Sequence, residues 1–277
     1  MLIKKIVTVS ITIALILSFL PAPAAAAYNV SVLINGERFA ASSEPIALDS
    51  GVYVPLREFT LAVNPSAQVG WNANLGEVDV YSHGLSIRIP YGEEYITVNG
   101  HFIYISGGVF GIDGVTYISV TEYCMALGAN AVSNRRQQSV SVVYTGVPAA
   151  LPGGNYDSDD LYWLSRIISA EARGEPLAGQ IAVGNVVLNR VAYKSYPNTI
   201  HGVIFDKVCG VQFSPISNGS IYDSPTERAV IAAKMVLDGT NTAGESLFFL
   251  NERTASSGWA SRTRQYYTSI GNHNFYL

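Results

Sequence analysis

Two hydrophobic periods divide this chain. Up to about residue 144, apolar residues alternate with polar ones in short runs, as at Val78/Val80, Leu85/Ile87/Ile89 and Val140/Val142. That is the period of half-buried strands. From Asp157 onward apolar residues recur every three or four positions, the period of amphipathic helices. Leu161, Leu164, Ile167 and Ile168 mark a first helix, which Asp157 or Ser158 can cap and which Gly174 and Pro176 stop. A second is predicted from Pro176 to Lys194. Its stripe of Leu177, Ile181, Gly184, Leu188 and Val191 is joined by Val183, Val186 and Val187 on other sides, which marks the central, buried helix. Ser224-Pro225-Thr226-Glu227 reads as a capping box with proline at the first helical position, starting a third helix to about Leu237. Leu247–Leu250 and Gln265–Thr268 read as short strands. The last ten residues, rich in His, Asn and aromatics, are expected to dock back on the domain.

The first half carries an internal repeat. Tyr53-Val-Pro-Leu-Arg-Glu-Phe-Thr-Leu-Ala62 aligns with Tyr117-Ile-Ser-Val-Thr-Glu-Tyr-Cys-Met-Ala126 at an offset of 64. Each copy reads as a strand running into a short helix, then a turn region and an alternating strand. Hairpin strands fill the space between, with Asn99-Gly100 a strong turn signal. Residues 145–157 hold two prolines and three glycines in thirteen positions and read as a linker. The expected fold class is α+β with two domains: residues 28–144 of repeated strand, helix and hairpin, and residues 158–277, mostly helical with a short β-hairpin.

One charge sits out of place in this pattern. At 100° per residue from Leu161, the leucines and isoleucines of the first helix fall between about 240° and 360°. Tyr162, Ser165, Arg166, Ser169 and Arg173 fall between about 40° and 140°, and Glu171 lands near 280°, inside the apolar stripe. It is either a buried structural partner, with Arg190 a candidate, or an acid with a raised pKa. Apolar neighbours and the negative end of the helix dipole both disfavour its ionised form.

Composition narrows the setting. Residues 1–27 have the features of a secretory signal: Lys4 and Lys5, an apolar run from Ile6 to Leu20, and Ala24 to Ala27 as a cleavage region. The expectation from this segment is a secreted protein with no transmembrane segment after cleavage. Without the two early lysines, 15 basic residues face 21 acidic ones, which argues against nucleic acid as a partner. Only 14% of residues are charged and 17 are tyrosine, a surface suited to stacking on sugars. Cys124 and Cys209 are too far apart in sequence to suggest a disulfide framework, and Cys124 reads as a small buried hydrophobe.

The residues alone speak to three other chemistries. A zinc amidase needs convergent His, Asp and Glu ligands, and the second half offers only His201 and His273 without ligand-like spacing. A Cys/His hydrolase would draw on Cys209 and His273, but Cys209 lacks the helix-start context that lowers a thiol pKa. A retaining glycosidase needs two close carboxylates, and no spacing singles out Glu175, Asp206 or Asp223 as the second. No metal or other cofactor is expected; His83 and His101 stand alone.

The motifs carry two resemblances. Ser169-Ala-Glu-Ala-Arg-Gly-Glu-Pro176, Gly179-Gln-Ile-Ala-Val183 and Val187-Leu-Asn-Arg-Val191 resemble the core of the cell wall hydrolase family of spore cortex-lytic enzymes. Pro197-Asn-Thr-Ile200, Gln212-Phe-Ser-Pro215, Asn251, Trp259 and Ile270-Gly-Asn-His-Asn-Phe-Tyr276 follow in that family's order. The paired strand-to-helix segments of the first half, with their hairpins, resemble the copper amine oxidase N-terminal domain, used in many secreted proteins as an accessory module.

The first resemblance implies a lysozyme-like helical domain acting on peptidoglycan glycan strands, with Glu171 as the catalytic acid. It implies lytic transglycosylation between N-acetylmuramic acid and N-acetylglucosamine, leaving 1,6-anhydro-muramic ends, in spore cortex lysis or wall remodelling. A hydrolytic muramidase, an N-acetylglucosaminidase and a non-catalytic cell-wall-binding protein are the alternatives. Gln212, Phe213, Ser214, Tyr222, Asn251, Trp259 and His273 are the candidate substrate-binding residues, although Phe213, Trp259 and His273 also suit purely structural roles. The N-terminal domain is expected to place the enzyme at the cell wall, and the two resemblances together imply an extracellular, wall- or spore-associated protein of a Gram-positive bacterium.

Overall fold

The computed structural model describes residues 28–134, 138–146, 155–208, 210–251 and 259–277. The expected signal segment, most of the expected linker, and Cys209 lie outside them.

The N-terminal region is built of strands. In chain order these are β1 (Tyr28–Asn29), β2 (Ser31–Ile34), β3 (Glu37–Arg38), β4 (Ile46–Leu48) and β5 (Gly51–Pro55), which runs into helix α1 (Leu56–Val63). Then come β6 (Gln68–Asn72), β7 (Glu77–Ser82), β8 (Leu85–Pro90), β9 (Tyr95–Val98), β10 (His101–Tyr104), β11 (Phe110–Ile112) and β12 (Val115–Ser119), which runs into α2 (Val120–Leu127). The hairpin β13 (Ala129–Asn134) and β14 (Ser139–Tyr144) closes the region. The two strand-to-helix segments meet directly: Tyr117, Ile118 and Ser119 pair antiparallel with Pro55, Val54 and Tyr53. Their helices share one core, in which Phe59 and Tyr123 are fully buried and Thr60 Oγ1 lies 2.6 Å from the Tyr123 hydroxyl. Asn99 and Gly100, at φ 50° and 90°, make the tight turn between β9 and β10, where both central residues need positive φ.

The C-terminal region is helical. It contains α3 (Ser158–Ala172), α4 (Leu177–Ala192), α5 (Ile200–Ile204), α6 (Ser214–Asn218), a 3-10 turn at Ser220–Tyr222 and α7 (Glu227–Leu237). After these come β15 (Phe248–Leu250), α8 (Trp259–Thr263), β16 (Tyr266–Ile270) and β17 (His273–Tyr276). Asp157 caps α3, its carboxylate accepting from the N–H groups of Asp159 and Asp160. The central helix α4 is buried on nearly every side. A Cβ on Gly184 would stand 2.9 Å from both Ile168 and Val236, so this glycine lets α3, α4 and α7 approach closely.

One local expectation needs correction. The start of α7 is capped by Thr226, whose Oγ1 accepts the Ala229 N–H, and not by Ser224; Pro225 therefore lies outside the helix. Ser165 and Ser169 are also buried, because α7 packs along that side of α3 and widens its buried face beyond the apolar stripe. The C-terminal residues form β17, the middle strand of a three-stranded sheet, β15-β17-β16.

The two regions touch through the β9–β10 hairpin. Tyr95, Phe102 and Tyr104 pack against the helical core, and Phe102 lies under the Lys234 ammonium of α7. Asp238, at the end of α7, accepts from the Tyr156 hydroxyl at 2.7 Å and stands 3.5 Å from His101 Nδ1. No helix among the described residues is long and apolar enough to cross a membrane.

Candidate active site

Glu171 occupies the last turn of α3, within the buried arc of the helix and close to its C-terminal end. The side chain is half-buried, and no described residue offers its carboxylate a hydrogen bond or ion pair. Burial pushes its pKa up from the ordinary 4.5 to about 7; among the described residues no neighbouring charge contributes. Near neutral pH it therefore carries its proton about half the time, the state a general acid needs.

The structural alternative, a pair with Arg190, is absent. Arg190 is buried in α4 and donates from Nε to the Leu247 carbonyl at 2.8 Å. Its guanidinium lies over the rings of Tyr196, Phe213 and Phe248. Arg190 thus ties α4 to the start of the C-terminal sheet, and its burial depresses its own pKa. Glu175 is likewise engaged, though not with Arg173. Its carboxylate accepts from the Asn272 backbone N–H at 2.8 Å and from Asn272 Nδ2 at 3.2 Å, fastening the α3–α4 turn to the β16–β17 turn.

The candidate binding residues fall into two groups. Phe213, only 2% exposed, caps α6 and sits 6.3 Å from Phe249, which in turn sits 5.2 Å from His273. Gln212 and Ser214 flank it. Gln212 Nε2 donates to the Gly210 carbonyl rather than to Glu171, and Ser214 is exposed at the first turn of α6. His273 is buried in β17, its Nδ1 without a hydrogen-bond partner among the described residues, and burial lowers its pKa. Trp259 packs against Phe248 at 5.6 Å with 46% of its surface exposed, and Asn251 follows the last residue of β15. These residues cluster around β15 and β17. Tyr222 stands apart, 62% exposed, 6.4 Å from Trp163 on α3. Both α6 and the 220–222 turn pack on α3, the helix that carries Glu171. Among the described residues no group of three or more His, Cys, Asp or Glu side chains is placed to hold a metal ion.

Comparison with known proteins places this arrangement in a lineage. The family model "Cell Wall Hydrolase" matches residues 174–276, and that of the copper amine oxidase N-terminal domain matches residues 33–147. Among solved structures, the catalytic domain of the germination-specific lytic transglycosylase SleB from Bacillus anthracis is 36% identical. That match covers 46% of this chain and 100% of the domain, with a TM-score of 0.41. The C-terminal region carries a cell wall hydrolase domain. The spore cortex-lytic enzyme of Bacillus cereus is 28% identical over 235 residues, 73% of this chain and 89% of that protein. That of Bacillus subtilis is 36% identical over 129 residues, 47% of this chain and 41% of that protein. The match to the cell wall hydrolase model begins at Gly174, three residues after Glu171. The case for Glu171 thus rests on its own environment and on the Ser169–Pro176 motif.

Proposed function

We propose that the protein cleaves peptidoglycan glycan strands as a lytic transglycosylase, with Glu171 as its single acid and base. The observation that carries this reading is a carboxyl held half-protonated near neutral pH by burial, with no partner among the described residues. In the proposed reaction Glu171 gives its proton to the glycosidic oxygen between N-acetylmuramic acid and N-acetylglucosamine as the bond from C1 breaks. The C6 hydroxyl of the same muramic residue then closes on C1, and its proton returns to Glu171. No water is consumed and the acid is regenerated.

The absence of any charge acting on Glu171 among the described residues supports this over a retaining hydrolase. A second carboxylate at about 5 Å, as retaining chemistry requires, would raise the Glu171 pKa further, yet burial is its only cause among the described residues. The lysozyme-like arrangement of the helical domain belongs to the same proposal. So does a groove lined by Gln212, Ser214, Tyr222, Asn251 and Trp259, with Phe213 and His273 forming the packed layer beneath. Digestion of purified peptidoglycan by the wild type and by Glu171→Gln tests the assignment. The wild type is expected to release soluble fragments and the variant is not; comparable release by both overturns it.

In this reading the N-terminal domain holds the enzyme on the wall. A cleft of about 310 Å³ opens between Val69 and Trp71 of β6, Val78 of β7, the start of α1 and residues 114–116. Trp71 stands at its rim 54% exposed, braced edge-on by Tyr91 at 6.4 Å, with Arg57 and Glu58 beside it. An apolar floor, an open aromatic face and a mixed polar edge suit a pyranose ring. Trp71→Ala in the Glu171→Gln background is expected to lose co-sedimentation with insoluble peptidoglycan; unchanged sedimentation removes the cleft from this role.

A further inference from the structure

The N-terminal domain reaches the neighbourhood of Glu171 at two carboxylates between β8 and β9. Glu93 Oε2 accepts from Arg228 Nη1 at 2.7 Å and Glu94 Oε2 from Arg228 Nη2 at 2.6 Å, both at the first turn of α7. Glu94 has a second contact that Glu93 lacks. The same Oε2 accepts the backbone N–H of Leu177, the first residue of α4, at 3.2 Å. A helix start leaves such N–H groups without an intrahelical acceptor, and Pro176 provides no side-chain cap of its own. The cap for α4 therefore comes from the other domain. Its negative charge also faces the positive end of the helix dipole.

These contacts surround the turn that follows Glu171. Leu177 is six residues further along the chain. Within the turn, the Glu175 N–H donates to the Ala172 carbonyl, and Gln180 Nε2 donates to the Glu175 carbonyl at 3.1 Å. On the other side, the Thr226 N–H donates to Ser169 Oγ at 3.1 Å, joining the start of α7 to the last turn of α3. Glu94 thus pins the starts of both helices, α4 and α7, that pack on α3.

We propose that Glu94 is a positioning residue for Glu171, so that the accessory domain completes the active site by clamping the α4 and α7 starts beside it. The proposal rests on the reading of Glu171 as the acid. Releasing the clamp loosens the α3–α4 turn, admits water to the Glu171 carboxyl and lets it ionise at lower pH. The charge on Glu94 matters less than the acceptor it presents to Leu177, because Glu93 still holds Arg228.

The full-length chain with Glu94→Ala, Glu94→Gln and Glu93→Ala provides the test, at a temperature where circular dichroism shows each variant folded. Two readouts are needed: titration of the Glu171 carboxyl by carbon-13 NMR, assigned with Glu171→Gln, and kcat and KM on soluble glycan chains. Glu94→Ala is expected to move the titration to lower pH and to cut kcat about ten-fold with little change in KM, the scale on which small misplacements act. Glu94→Gln, which keeps an acceptor for the Leu177 N–H, recovers most of both. Glu93→Ala stays near wild type in both. An unmoved Glu171 titration in Glu94→Ala and Glu94→Gln overturns the proposal, as does an equal effect from Glu93→Ala. A titration that moves in an enzyme without glycan-cleaving activity upholds the clamp and refutes the acid role instead.

Discussion

Burial of the Glu171 carboxyl costs stability in a pH-dependent way. In the unfolded chain the group ionises near its ordinary 4.5, and in the folded chain near about 7. Between those values the unfolded state has released the proton and the folded state has kept it. The unfolded state therefore binds fewer protons, and stability falls as pH rises through that window. At about 1.4 kcal/mol for each pH unit, the full difference is about 3.5 kcal/mol. Because the side chain is only half-buried, solvent screening reduces this to about 2 kcal/mol. Glutamine has nearly the same shape and cannot ionise. Urea unfolding of wild type and Glu171→Gln, followed from below pH 4.5 to above about 7, isolates the effect. The stability of the variant relative to wild type is expected to rise by about 2 kcal/mol across the window and to be flat outside it. A difference that stays constant throughout refutes burial as the cause of the raised pKa. The same shift places the alkaline fall in activity near pH 7, since a general acid works only while protonated.

Two further substitutions probe the scaffold around the site. Asp157→Ala removes the side-chain cap of α3 and is expected to cost about 1 kcal/mol in denaturant unfolding, with the Glu171 titration unchanged. Gly184→Ala drives a methyl to 2.9 Å from Ile168 and Val236 where α3, α4 and α7 meet. It is expected to cost about 1–3 kcal/mol, and a neutral result would mean that these helices separate freely.

The helical half was legible because its periodicity, caps and stops are local. Asp157, Gly174 and Pro176 bracket α3, and the apolar surround of α4 shows in Leu177 to Val191 alone. The position of Glu171 in the buried arc also followed from spacing. The absence of a pair with Arg190 did not, because Arg190 is drawn away by the Leu247 carbonyl and by three rings, two of them distant in sequence. The burial of Ser165 and Ser169 was not legible for a similar reason: it is imposed by α7, whose start donates to Ser169 Oγ. The Glu175–Asn272 tie and the Glu94 cap on α4 join residues about a hundred positions apart, beyond the reach of any period or local motif. The strand-to-helix repeat revealed β5–α1 and β12–α2, while the pairing of those strands in one sheet emerges only in three dimensions.

Mass spectrometry of the fragments released from purified peptidoglycan tests single-acid glycan cleavage most directly. Fragments ending in 1,6-anhydro-muramic acid, released by the wild type and lost with Glu171→Gln, are predicted. Reducing sugar ends or free stem peptides from the wild type would contradict it.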